Sequence, residues 1–309
     1  MFTRTAARAA TLARPAARRL APRAVPLPHS HLAARWAFAG LAAGAGAAVV
    51  YAAHDLKPEW IPAPQPLHAD APAPSGIHLD PTTKTPFPSR LASPDGTPLR
   101  LVGTGVRTVS FLNIKVYAVG FYVSEREFNL ASQGKLAGWD GYTPERLIPP
   151  FNLPTDGPER PKGEQLIETL LEKADAAVVI IPLRNTSLPH LRDGFSRALV
   201  ARMKVPQVAG AFTDAMNEST GVAMVQFKSF FPSRTLPKGL PLELYYSAKD
   251  RSILFQLRDE KTRAPEVLGT LREATLATQL MVSYFSNDAA PSPELVKSVA
   301  MGFDPVEHA

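Results

Sequence analysis

Nine prolines fall between Pro58 and Pro88, in runs such as PAPQP and APAPS, and that density decides which parts of the chain can fold together. Proline fixes its own backbone and lacks an N–H, so such a stretch reads as a semi-rigid polyproline II spacer with no core of its own. Residues 54–90 are therefore expected to be a linker. What lies before them must be read separately from residues 91–309.

The two sides differ in charge. Residues 1–54 hold Arg4, Arg8, Arg14, Arg18, Arg19, Arg23 and Arg35 and no Asp or Glu, while the remainder carries 27 basic and 28 acidic residues. The net charge of +6 thus belongs to the N-terminus, and the near-neutral remainder gives no support to nucleic-acid binding.

On a helix, Arg4, Arg8, Arg14, Arg18 and Arg19 fall within an arc of roughly 140°, with Phe2 and Leu20 opposite. This is the amphipathic, acid-free pattern of a mitochondrial presequence over residues 1–23, with cleavage after Arg19 or Arg23. Trp36 to Ala53 follows as eighteen uncharged residues with aromatics at both ends. It covers about 27 Å as a helix, enough for one membrane span. Nine of the eighteen are alanine, so a low-complexity spacer or an extended presequence is the alternative. If the segment spans, the arginine flank stays on the matrix side and the domain faces the intermembrane space.

There is no cysteine. Disulfides, thiolate nucleophiles, Cys-ligated zinc, iron–sulfur clusters and covalently attached haem are excluded together. No HExxH, P-loop or GxSxG motif is present either. The glycines of GTGVRT (103–108) suggest a dinucleotide loop, but the third glycine position is Thr108 and a strand-like segment follows where a helix N-terminus is needed.

Residues 99–123 are rich in β-branched and aromatic side chains and predict two or more long strands. Leu166, Ile167, Leu170, Leu171 and Ala174 recur at helical spacing before AAVVIIPL (176–183), a buried strand. Leu188, Leu191, Phe195 and Leu199 make the next helical stripe, with Asp193 and Arg197 placed to pair on its polar side. A further helix is expected over about 206–230 and a hairpin from 242–247 and 252–258. Two closing helices are expected near 270–285 and from Ser292, a candidate N-cap. Strands at both ends with helices between them fit an α+β domain, an antiparallel sheet with helices on one face.

The block GTGVRTVSFLNIKVYAVGFYV (103–123) and the helix-like SEREF after it resemble the chalcone isomerase family. So do IPLRNTSLPHLRDGFSRAL (181–199), the KGLPLELYY…ILFQL hairpin and GTLREATLATQLMVSYF. The resemblance covers about residues 95–305 and is greatest to a fungal mitochondrial branch, the altered inheritance of mitochondria proteins. It implies the chalcone isomerase-like fold and puts Arg107 at the position of the family's active-site arginine, which in an isomerase stabilises a phenolate. Tyr117 stands where plant isomerases have a threonine. Fatty-acid-binding relatives pair arginine with tyrosine to grip a carboxylate, so the resemblance favours binding over catalysis here.

The residues argue similarly without the family. An arginine in an apolar strand needs an anion to answer it: a ligand carboxylate, a protein acid such as Asp193, or, with neither, exposure at a sheet edge. Tyr117 is equally readable as a core tyrosine. His190 reads as a surface residue at a helix start or, alternatively, as the axial ligand of a non-covalent haem whose propionates meet Arg192 and Arg197. Three functions follow: a non-catalytic binder of a fatty acid or haem through Arg107, Tyr117, Arg192 and Arg197; an intramolecular lyase of chalcone isomerase type using Arg107 and Tyr117; or a structural or assembly factor of the inner membrane with an unidentified protein partner.

Overall fold

The computed structural model describes residues 76–109, 113–151, 160–205, 208, 214–259, 261–262 and 264–304. The presequence (1–23), the apolar segment 36–53 and the first part of the spacer lie outside these residues. Among the described residues no helix is long and apolar enough to cross a membrane.

The chain enters through three short strands, β1 (Ile77–Leu79), β2 (Pro86–Pro88) and β3 (Arg90–Ala92). Two long ones follow, β4 (Pro98–Val109) and β5 (Ile114–Ser124). Next come α1 (Glu125–Ser132), α2 (Glu164–Leu171), β6 (Ala176–Pro182), β7 (Thr186–Ser187) and α3 (Leu188–Arg202). After α4 (Asp214–Ser229) and β8 (Thr235–Leu236) the hairpin is formed by β9 (Leu242–Ser247) and β10 (Ser252–Arg258). The chain closes with β11 (Pro265–Leu271), α5 (Ala274–Val282) and α6 (Pro293–Gly302). Ser292 caps α6 as expected, its Oγ accepting from the Leu295 N–H at 3.2 Å.

Seven strands form one sheet in the order β11-β10-β9-β6-β5-β4-β3, with every neighbouring pair antiparallel. The period-2 alternation of β5 sends Tyr117, Val119, Phe121 and Val123 into a core shared with α2, α3, α5 and α6. Ala118 and Tyr122 go to the opposite face, where they meet Phe87. The helices contribute to the first cluster and not the second, so the expected one-sided helical layer is what forms.

Three expectations need correcting. The spacer was expected to run to residue 90, yet β1 and β2 lie within it and pair with each other. Phe87, between two prolines, is fully buried against the sheet, and the Tyr122 hydroxyl donates to the Pro88 carbonyl at 2.9 Å. Proline's extended backbone serves an edge strand as well as a polyproline segment. Residues 265–271 form the edge strand β11, so the helix expected near 270–285 begins only at Ala274. Asp193 accepts from Arg192 Nε at 2.8 Å, and no ion pair joins it to Arg197; the adjacent guanidinium reaches it without spanning a helical turn.

Candidate functional site

Gly103, Gly105 and Arg107 share the face of β4 that looks toward the helices. A Cβ on Gly103 would stand 2.6 Å from the Val299 backbone nitrogen, and one on Gly105 would strike the Leu295 backbone. The glycines therefore let α6 lie directly on the strand. That, and not phosphate binding, is the role of the GTG sequence. Arg107 comes next on this face, just beyond the start of α6. Its backbone partner across the ladder is Tyr117, so the pairing of two strands sets guanidinium beside phenol. Arg107 Nη1 donates to the Tyr117 hydroxyl at 3.4 Å, a long hydrogen bond, and the guanidinium carbon stands 5.8 Å from the ring centre.

Both side chains line a cavity of about 530 Å³, within the usual range for a small-molecule site. Its walls are the ends of β4 and β5, one side of α3, and the 3-10 turn Ser283–Phe285 with the loop after it. Val109, Val116, Leu191, Phe195, Ala198 and Pro291 make much of the lining apolar. No Asp or Glu occurs among the described lining residues, whereas Arg107, Arg197, Arg202 and His190 do. The cavity is cationic.

Tyr284 completes the polar end. It is 2% exposed, and its hydroxyl, beside the Tyr117 phenol, makes no well-aligned hydrogen bond with any described residue. Burial first, then the neighbouring Tyr117 phenol, push its ionisation well above the usual range, so it is a neutral donor at physiological pH. Burial works to release the proton of Arg107, but the neighbouring Tyr117 and Tyr284 phenols raise its pKa by more. Arg107 is thus charged, half-buried, and without a carboxylate partner among the described residues.

The structure brings Arg107, Tyr117, His190 and Arg197 to one cavity. Arg192 does not line it, being held by Asp193 outside. His190 is exposed, and its backbone N–H donates to the Ser187 Oγ at 3.2 Å, which starts α3. Sequence reasoning missed Tyr284, because a tyrosine in the apolar run LMVSYF reads as core. It also missed Arg202, whose guanidinium is buried and bound to Glu164 at 2.7 Å and Gln279 at 2.8 Å. Those partners belong to a second, more polar cavity of about 490 Å³ that Arg202 also borders.

Residues 97–300 match the family model described as chalcone isomerase like. The chain belongs to the chalcone isomerase-like family. Its curated relatives include the mitochondrial protein altered inheritance of mitochondria 18 of Debaryomyces hansenii, 27% identical over 234 residues, with 71% of this chain and 72% of that protein covered. The same-named protein of Eremothecium gossypii is 28% identical over 232 residues, covering 69% and 70%. That of Saccharomyces cerevisiae is 25% identical over 215 residues, covering 66% and 63%. A solved structure, the fatty-acid binding protein of Arabidopsis thaliana, aligns with a TM-score of 0.47 at 18% identity, covering 74% of this chain and 100% of that one. The chalcone isomerase-like α+β fold expected from the sequence is the fold observed, and the mitochondrial character of these relatives agrees with the arginine-rich N-terminus.

Proposed function

We propose that this member of the chalcone isomerase-like family is a non-catalytic binding protein of the mitochondrion whose ligand is a hydrophobic carboxylate, a fatty acid. The observation that carries the reading is Arg107: a charged guanidinium in a largely apolar cavity, answered among the described residues by one long bond to Tyr117. An uncompensated charge in such surroundings is costly, and a carboxylate is the group whose geometry a guanidinium fork matches. The Tyr117 and Tyr284 hydroxyls add two donors beside it. The ligand's chain would then replace water along the apolar walls, the main source of its affinity.

Titration calorimetry with palmitate tests this. Charge-assisted hydrogen bonds are worth about 1.5–3 kcal/mol, so Arg107→Ala is expected to weaken binding by roughly tenfold to a hundredfold. Equal affinity in wild type and variant would remove the carboxylate from this site.

Haem is the second reading, favoured by one observation: His190 and Arg197 line the same cavity. Imidazole would supply an axial ligand there and Arg197 a propionate partner. The exposed His190 side chain supports this less well than the enclosed Arg107–Tyr117–Tyr284 end supports a carboxylate. A Soret shift on adding haem that disappears in His190→Ala would favour it. The apolar stretch 36–53, with arginines on one flank, supports an inner-membrane tether with the domain in the intermembrane space; protease protection in mitoplasts tests that arrangement.

A further inference from the structure

Val222 and Val225 are 66% and 72% exposed, the two most exposed large apolar side chains among the described residues. They stand three positions apart on α4, so they form one patch and not two scattered surface valines. The helix has already buried its other side: Thr220 and Phe227 are buried, and Ala223 and Met224 pack against the core. The valines are a second apolar face, left over after folding. Gly221 lies beside them. Like Gly194 of α3, which borders the cavity, it has nothing within 4 Å of the place a Cβ would occupy and no left-handed backbone to account for it. Unlike Gly194 it is exposed, and it opens the helix backbone to close approach from outside. Charge says what approaches. At 100° per residue, Glu218, Gly221, Val222 and Val225 fall within an arc of about 100°, with Lys228 at its edge. Both charged side chains are exposed, and neither joins an ion pair among the described residues. They bracket the valines evenly, the midpoint of Glu218 and Lys228 falling within one residue of the midpoint of Val222 and Val225. A two-fold axis through that point therefore lays Val222 of one copy on Val225 of a second and brings Glu218 to Lys228 twice. Such self-complementarity is what an isologous interface requires. An anionic membrane surface would favour a cationic rim instead, and this rim carries one charge of each sign.

We propose that the outer face of α4 is a homodimer interface, at which two copies of this chain pack their α4 helices antiparallel through Val222 and Val225. Gly221 lets the helices approach closely, and the reciprocal Glu218–Lys228 pairs fix direction and register. No α4 residue is among the described residues lining the Arg107 cavity, so the interface stands independently of the ligand reading. A single helix face covers less than the roughly 800 Å² per partner of a standard interface, so the association is weak and reversible.

Sedimentation velocity of the full-length protein, from low to high micromolar concentration, tests this, with thermal melting as a check on folding. Wild type is expected to pass reversibly from monomer to dimer. Val225→Asp changes an exposed position, so it should melt as wild type does and stay monomeric. Glu218→Lys and Lys228→Glu each set like charges together at both symmetric contacts and should weaken dimerisation by roughly threefold or more. The double variant, with the charges exchanged, should restore it. Because the chain has no cysteine, a mixture of Val222→Cys and Val225→Cys gives a second readout: oxidation should link the mixed pair faster than either variant alone. A wild type that stays monomeric, a dimer that Val225→Asp and Glu218→Lys leave intact, or a double variant without rescue would overturn the proposal. Monomeric wild type that floats with anionic liposomes, an association lost in Val225→Asp, would overturn it too and give the face to a membrane.

Discussion

Arg107 was legible in the sequence because a guanidinium in an apolar strand demands an anionic answer, and Tyr117 only through the family resemblance; that the two face each other across the ladder came with the fold. Tyr284 was not legible. Its hydroxyl matters only because folding brings it, from 167 positions further along the chain, to the end of the cavity that holds Tyr117. Tyr284→Phe separates ligand use from packing. Removing a buried hydroxyl that has no well-aligned partner among the described residues should leave the melting temperature of the ligand-free protein unchanged or raise it, by an amount worth up to about 1 kcal/mol. The same change should weaken palmitate binding several-fold by calorimetry. A loss of stability without a loss of affinity would mean the phenol serves the core.

At the scale of elements, hydrophobic periodicity located β4, β5, β6, α2, α3 and the β9–β10 hairpin, since each buries one face or is buried throughout. It did not locate β11, an edge strand that pairs with β10 on one side and is half exposed, with Val267 in solvent. An edge strand needs no alternating pattern strong enough to read. The GTG glycines had the opposite problem, a visible motif whose cause lay elsewhere in the chain, in the approach of α6. Gly105→Ala is expected to destabilise the domain by about 1–3 kcal/mol, the range for overpacking a well-filled interior; chemical denaturation measures it. Gly194→Ala should do the reverse, adding up to about 1 kcal/mol because the methyl meets no described residue and the helix gains a better former. Opposite signs for two glycine-to-alanine changes would separate a packing glycine from a cavity glycine.

For the whole molecule, proline density placed the start of the folded domain too late. Polyproline II and an edge strand share nearly the same backbone angles, so composition alone could not tell them apart; Phe87 was the residue to notice. A chain beginning at residue 91 lacks Phe87 and the Pro88 acceptor of Tyr122. It should be less stable than one beginning at residue 76 by at least the ~3–5 kcal/mol typical of deleting a buried phenylalanine, read from urea midpoints. The cavity itself could not be read from sequence, because its walls come from β4, β5, α3 and the turn after α5 and meet only in the fold. The absence of acids among its described lining residues, around an arginine, is the basis of the functional account. The most direct test is palmitate titration of the wild-type protein beside Arg107→Ala: the account predicts binding that the variant weakens at least tenfold, and equal binding by both, or none by wild type, would contradict it.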